Sequence, residues 1–389
     1  MKFNFDEVID RRGSDSLKYE FALRRGKPAD VFPLWIADMD FRTAPCVLEA
    51  LQKDVDLGIF GYTETQTPYF EAVAGWYERR FGFRTEEAWL VKTPGLVFAL
   101  GVAIQAFTEP GDAVLIQLPV YYPFSETIRD GGRRVVSNTL VLKDGRYEMD
   151  FEDFERKLVE ERVKLFLLCS PHNPVGRVWT REELRKVGEL CLKHGVLVFS
   201  DEIHSDFVYE GHEHFVFPTV DKRFEKISIV GTSPTKTFNL AGLQISNVFI
   251  PDEGVRAVYK RWVSAFGYSQ ANMLGIHACV AAYTGGGEWL FELKQYLAAN
   301  LDFTRKFLRE RLPGVRLVEP EGTYLLWLDC RGLGLSHEEL DRRILHKAKL
   351  WLDSGAIFGP AGEGFQRLNI ACPRSVLEFA LGRLALIAE

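Results

Sequence analysis

Between about residues 88 and 250, short apolar runs, many of them β-branched, alternate with Gly/Pro punctuation and longer stretches whose apolar positions recur every three or four residues. That rhythm is the mark of successive βα units. The runs at 113–118, 133–140, 163–169, 195–200, 226–231 and 245–250 predict strands, and most are continuously apolar, as strands covered on both faces are. Helices are predicted at 122–130, 151–161 and 181–194. The last follows Thr180, has Glu183 three residues beyond that cap, and stops at Gly195. The sheet is therefore mostly parallel, with an antiparallel member expected near Ile245, where the connection is too short for a crossover helix.

After about residue 285 the pattern changes. A long polar amphipathic stretch from 288 to 311 leads through Pro313-Gly314 to an alternating strand at 323–329 and two more helices. This predicts a smaller α+β domain at 286–389, beside a large domain at 45–285. The amino-terminal segment, 1–44, breaks the βα rhythm and is expected to pack with the small domain. The least charged apolar stretch, 94–108, is shorter than the roughly 20 residues a membrane span needs and reads as a buried helix. The first 13 residues mix acids and arginines, unlike a secretory signal.

Composition narrows the class. The 389 residues are 47% hydrophobic and 26% charged, ordinary for a folded soluble chain, and the net charge of −6 offers no basic footprint for nucleic acid. Six scattered cysteines without a C-x-x-C pair read as reduced thiols of a cytoplasmic protein.

In parallel sheets, ligands gather beyond the carboxyl ends of the strands. Three predicted strands end in polar segments: Ser170-Pro-His-Asn-Pro-Val-Gly176, Asp201-Glu-Ile-His204 and Thr232-Ser-Pro-Thr-Lys236. Asn173 and Asp201 are 28 residues apart, and Asp201 and Lys236 are 35 apart, each about one βα unit. Amide, carboxylate and amine should then line one edge. A lysine there can condense with an aldehyde cofactor, and a carboxylate one unit away can pair with a pyridinium nitrogen, which is what pyridoxal phosphate requires. His204, His212, Glu213 and His214 lie close in sequence, but their spacing matches no metal-ligand motif, so no metal is expected.

These residues sit within a longer series: Trp35-Ile-Ala-Asp-Met-Asp-Phe41, Gly61-Tyr-Thr63, Pro119-Val-Tyr-Tyr-Pro-Phe124, Pro171-His-Asn-Pro-Val-Gly176, Ser200-Asp-Glu-Ile-His204, Lys236-Thr-Phe-Asn-Leu-Ala-Gly242 and Arg367-Leu-Asn-Ile-Ala-Cys-Pro-Arg374. In this order, the chain resembles the fold-type I pyridoxal-phosphate enzymes of the class I/II aminotransferase superfamily, and within them the cystathionine β-lyase (cysteine-S-conjugate β-lyase) branch. The resemblance implies an α/β fold, a seven-stranded sheet sandwiched by helices. It makes Lys236 the lysine that carries the cofactor and takes the Cα proton, Asp201 the partner of the pyridine nitrogen, and Asn173 a donor to the phenolic oxygen that also helps seat the substrate. A cis Asn173–Pro174 bond is implied as well.

By the same resemblance, Gly95, Leu96 and Val97 at a helix start would cradle the phosphate with Ser233 and Thr235, and Tyr62 would reach it from a second subunit, making a homodimer. Tyr121 would stack on the ring, His204 would lie near the phenolic oxygen where many relatives place tyrosine, and Arg367 would clamp the substrate carboxylate. Gln244 stands where many aminotransferases pair an arginine with the phosphate. The implied reaction is α,β-elimination on L-cystathionine or a related S-substituted cysteine, giving a thiol, pyruvate and ammonia. Transamination would use the same residues, and a regulatory protein retaining the cofactor fold is a third reading.

Overall fold

The computed structural model describes residues 1–389. Seven strands form the larger sheet: β1 (Leu90–Thr93), β2 (Ala113–Ile116), β3 (Arg134–Ser137), β4 (Leu165–Cys169), β5 (Leu197–Asp201), β6 (Ser228–Thr232) and β7 (Ser246–Phe249). Their spatial order is β1-β7-β6-β5-β4-β2-β3, and only β7 runs antiparallel to its neighbours. The helices accompanying it are α1 (Pro45–Leu57), α2 (Thr67–Phe81), α3 (Leu96–Phe107), α4 (Pro123–Asp130), α5 (Phe151–Glu160), α6 (Arg181–His194), α7 (Glu253–Ala265) and α8 (Met273–Gly285).

Strand β4 shows why its sequence is apolar throughout. Leu165, Leu167 and Cys169 pack toward α3, α4 and α7, whereas Phe166 and Leu168 pack toward α5 and α6, so alternate residues serve two cores. The capping box on α6 forms, with Thr180 Oγ1 accepting from the Glu183 amide at 3.1 Å and Glu183 accepting from the Thr180 amide at 2.8 Å. Gly195, at φ 65°, ends that helix in the left-handed conformation.

One expectation needs correction, and one strand escaped the pattern. The run at 133–140 stops as a strand at Ser137, because the buried Asn138 takes a hydrogen bond from Gln117 and donates to Asp153 and the Asp150 carbonyl. The chain then makes a hairpin, Val141–Lys143 with Arg146–Glu148, turned by Asp144 and Gly145, both at positive φ. Strand β1 is four residues long and interrupted by Lys92, too brief to stand out in the pattern.

The 25-residue helix α9 (Gly287–Arg311) leads to an antiparallel sheet of β8 (Arg316–Val318), β9 (Leu325–Asp329), β10 (Asp353–Ser354) and β11 (Phe365–Asn369), in the order β8-β9-β11-β10. Helix α10 (Arg374–Leu384) follows it. The amino-terminal segment joins this part: Phe32–Pro33 pairs with Leu350–Trp351, and Trp35 stacks on Trp351 at 4.3 Å. All six cysteines are free thiols, five of them buried, and no helix is long and apolar enough to cross a membrane.

Candidate active site

Strands β4, β5 and β6 are parallel neighbours, with Cys169 opposite Asp201 and Asp201 opposite Gly231. Their outgoing loops therefore leave one edge of the sheet side by side, and a cavity of about 390 Å³ lies there. Asn173, Asp201, His204, Thr235 and Lys236 line it, together with Tyr121 and the start of α3 at Gly95, Leu96 and Val97. Nine of the residues expected from sequence thus converge. The Asn173–Pro174 bond is cis.

Lys236 sits on the short helix Pro234–Thr237, and its Nζ donates to the Ala37 carbonyl at 2.7 Å. Burial pulls its ammonium down from 10.5 to about 8, against the opposing pull of nearby Asp38. Asp201 is buried, accepts from the Ile203 amide at 3.1 Å, and is pushed up from 3.8 to about 7, chiefly by desolvation. His204 is pushed down to about 3 by burial and by the Lys236 and Arg367 charges, so its imidazole is neutral, and its Nδ1 has no partner.

Asn173 accepts through Oδ1 from Arg367 at 3.0 Å, which leaves its two amide hydrogens for the cavity. Arg367 itself does not line the cavity but stands behind Asn173, on β11. It also donates to the Trp35 carbonyl at 2.7 Å and pairs with Asp353, while its buried Nε has no partner. Asp353 carries no sequence signal, because an isolated acid after the apolar run Leu350-Trp-Leu352 forms no motif.

Two expected positions behave differently. Ser233 is outside the cavity lining: its Oγ lies 2.7 Å from the Ile245 carbonyl and 2.7 Å from Thr235 Oγ1, and it caps the lysine helix. Its hydroxyl thus starts the helix that carries the lysine. Tyr62 is fully exposed and lines an adjoining hollow with Pro94 and Gln244, two residues that also border the Lys236 cavity. Of the histidines weighed for a metal, His214 is buried against Glu202 at 2.9 Å, away from the cavity-lining His204.

The residues present fit pyridoxal phosphate. The amine for its aldehyde is Lys236, partly neutral near pH 8. Asp201 is a buried carboxylate with no fixed cation, suited to a protonated pyridine nitrogen. Helix α3 has no side-chain cap, so its first amides stand free for phosphate, and a Cβ built on Gly95 would meet nothing within 4 Å, which marks open space in the cradle. No lysine or arginine other than Lys236 lines the cavity, and Gln244 supplies an amide at the position where the resemblance points to an arginine.

A family model for aminotransferase class I and II matches residues 29–384. The chain belongs to this family. Within it, the chain is 45% identical over 381 residues to the cystathionine beta-lyase PatB of Bacillus subtilis (strain 168), covering 98% of each. Cystalysin from Treponema denticola, whose crystal structure contains pyridoxal 5'-phosphate, superposes with a TM-score of 0.96 at 36% identity, covering 100% of this chain and 99% of that one. A pyridoxal-phosphate-bound C-S lyase from Staphylococcus hominis gives 0.92 at 32% identity, over 99% and 98% of the chains.

Proposed function

We propose that this family member is a pyridoxal-phosphate-dependent C–S β-lyase that performs α,β-elimination on L-cystathionine or a related S-substituted cysteine, releasing a thiol, pyruvate and ammonia. The observation that carries the reading is the convergence of Lys236, Asp201 and Asn173 on one cavity. Similarity to PatB over 98% of both chains supports a lyase over an aminotransferase.

Bound pyridoxal phosphate supplies an electron sink conjugated to the substrate Cα. Lys236 Nζ, brought near neutrality by burial, takes the Cα proton and holds it. Asp201 keeps a proton on the pyridine nitrogen by remaining ionised beside it. Tyr121 covers one face of the site, and Asn173 donates from its free amide hydrogens. Arg367 holds Asn173 by donating to its Oδ1, and its unpartnered Nε is the nitrogen left to meet the substrate carboxylate. The α3 amides and Thr235 hold the phosphate.

The site is completed by a second copy of the chain, forming a homodimer. Tyr62, Ile59 and Phe60 are all more than 60% exposed, and Tyr62 stands beside the hollow that adjoins the phosphate cradle. The free thiols suit a reducing compartment, the cytoplasm.

The test is to follow pyruvate after mixing holoenzyme with L-cystathionine, beside a reaction with an amino acid that lacks a leaving group on Cβ. Catalytic pyruvate release is expected. No pyruvate, together with a stoichiometric transfer of the amino group to the cofactor, would establish transamination instead.

A further inference from the structure

A second hollow, of about 520 Å³, shares no lining residue with the Lys236 cavity. It is walled by Arg80 at the carboxyl end of α2, by Phe207 and Tyr209 of the segment after β5, and by Leu290, Lys294 and Leu297 of α9. Two cations stand close together there. Lys294 is half-buried and makes no ion pair, and its ammonium is held below the ordinary lysine range by burial and by the Arg80 charge, against the pull of Asp206. Arg80 lies over the Trp76 ring at 4.7 Å and meets Asp206 through Nε at 2.6 Å, which leaves the two terminal nitrogens of its fork unused.

A half-buried cation without an ion pair, beside a second cation with free donors, favours an anionic oxygen group. Phe207, Leu290 and Leu297 are buried and apolar, and Phe291, 63% exposed, stands at the mouth. Asp206, behind the lining, pairs with Arg80, and the one carboxylate of the lining, Glu210, is exposed. Two cations thus share one buried carboxylate, which leaves the wall net positive.

We infer that this hollow is a binding site for a small amphiphilic organic anion, a carboxylate or sulfonate carried on an aromatic or branched apolar body. The anionic head meets Lys294 and the Arg80 fork, and the apolar body lies on Phe207, Leu290 and Leu297. This goes beyond the lyase reading and stands without it, because none of these residues belongs to the Lys236 cavity.

The experiment is isothermal titration calorimetry of the purified holoenzyme with naphthalene-2-sulfonate, on the wild type, Lys294→Glu and Ala298→Trp. Lys294→Glu reverses the wall charge, and Ala298→Trp fills the hollow from α9 without touching a charge. Saturable binding is expected in the wild type, with affinity at least about tenfold weaker in each variant. Circular dichroism and the thermal midpoint should match wild type, and if Ala298→Trp fails that control, Lys294→Glu decides. Absence of saturable binding in the wild type, or unchanged affinity in Lys294→Glu, would overturn the proposal.

Discussion

Replacing Asp201 by asparagine should make the cofactor-free protein more stable at pH 8 while removing most of its activity. Asp201 is buried, and its folded-state value of about 7 lies above the ordinary 3.8 chiefly because the carboxylate is desolvated. A difference of about 3 pH units corresponds to about 4 kcal/mol against the ionised form. The sign follows from the direction. An acid raised in the folded state leaves stability intact below pH 3.8 and erodes it as pH climbs to about 7, above which the full cost is present. Asparagine carries no charge, and its Oδ1 can still accept from the Ile203 amide. Burying its amide returns about 1–3 kcal/mol of that cost, so a net gain of about 1–3 kcal/mol is expected at pH 8. At pH 5 the wild-type carboxyl is mostly protonated when folded, so the gain should fall by about 3 kcal/mol.

The assay is denaturant unfolding of apoprotein at both pH values, with cofactor affinity and turnover measured in parallel. Because a pyridinium partner offsets the cost only when Asp201 is charged, Asp201→Asn should also bind cofactor at least about tenfold more weakly and turn over about 10²–10³-fold more slowly. An apoprotein variant that is no more stable at pH 8 than wild type, or that shows the same difference at pH 5 and pH 8, would refute the reasoning.

Other substitutions probe the remaining groups. Lys236→Ala should lower pyruvate formation from L-cystathionine by at least about 10³-fold and prevent covalent retention of the cofactor through gel filtration. Gly95→Val places a side chain in open space at an extended φ of 169°, so unfolding should shift by less than about 0.5 kcal/mol, while cofactor affinity, read by absorbance titration, drops at least about tenfold. Arg367→Lys loses the planar fork that reaches Asn173, Trp35 and Asp353, and steady-state kinetics should show KM raised about 10–100-fold with a smaller change in kcat. If Tyr62 completes the partner's site, mixing Tyr62→Ala with Lys236→Ala and allowing exchange should restore up to about a quarter of wild-type activity, since half the dimers then hold one intact site.

Much of this arrangement was legible in the sequence because it is written in side-chain types at strand ends. The separations between Asn173, Asp201 and Lys236 place them after three adjacent parallel strands, and β4, β5 and β6 are neighbours in the sheet. The antiparallel turn of β7 followed from a connection too short for a helix. What escaped was short or irregular: β1 carries a lysine among four residues, and the 141–148 hairpin hides behind a buried asparagine, although its Asp144-Gly145 pair is a turn signal. Ser233 has a second role that its side-chain type alone does not announce. A hydroxyl three residues before the lysine has the right chemistry for phosphate, but the same hydroxyl is what starts the Pro234–Thr237 helix.

The segment from Trp35 to Phe41 shows where side-chain reading ends. It was noticed through resemblance, yet no acid, base or nucleophile within it lines the cavity. Its contribution is main chain. Arg367 donates to the Trp35 carbonyl, Asn369 to those of Ile36 and Asp38, and Asn239 to those of Met39 and Phe41. The Ala37 carbonyl alone receives both Lys236 Nζ and the Tyr324 hydroxyl. Two buried cations and two amides therefore converge on one stretch of backbone, whose carbonyls would be unpaired without them. Asp38, whose charge also acts on Lys236, and Asp40 hold the buried Lys18 and the partly buried Arg11, and so anchor the stretch from its other side. A loop that positions the lysine through a carbonyl asks only for a small side chain at the buried, cavity-lining Ala37, so the part of the motif nearest the chemistry is the part that composition and periodicity express least.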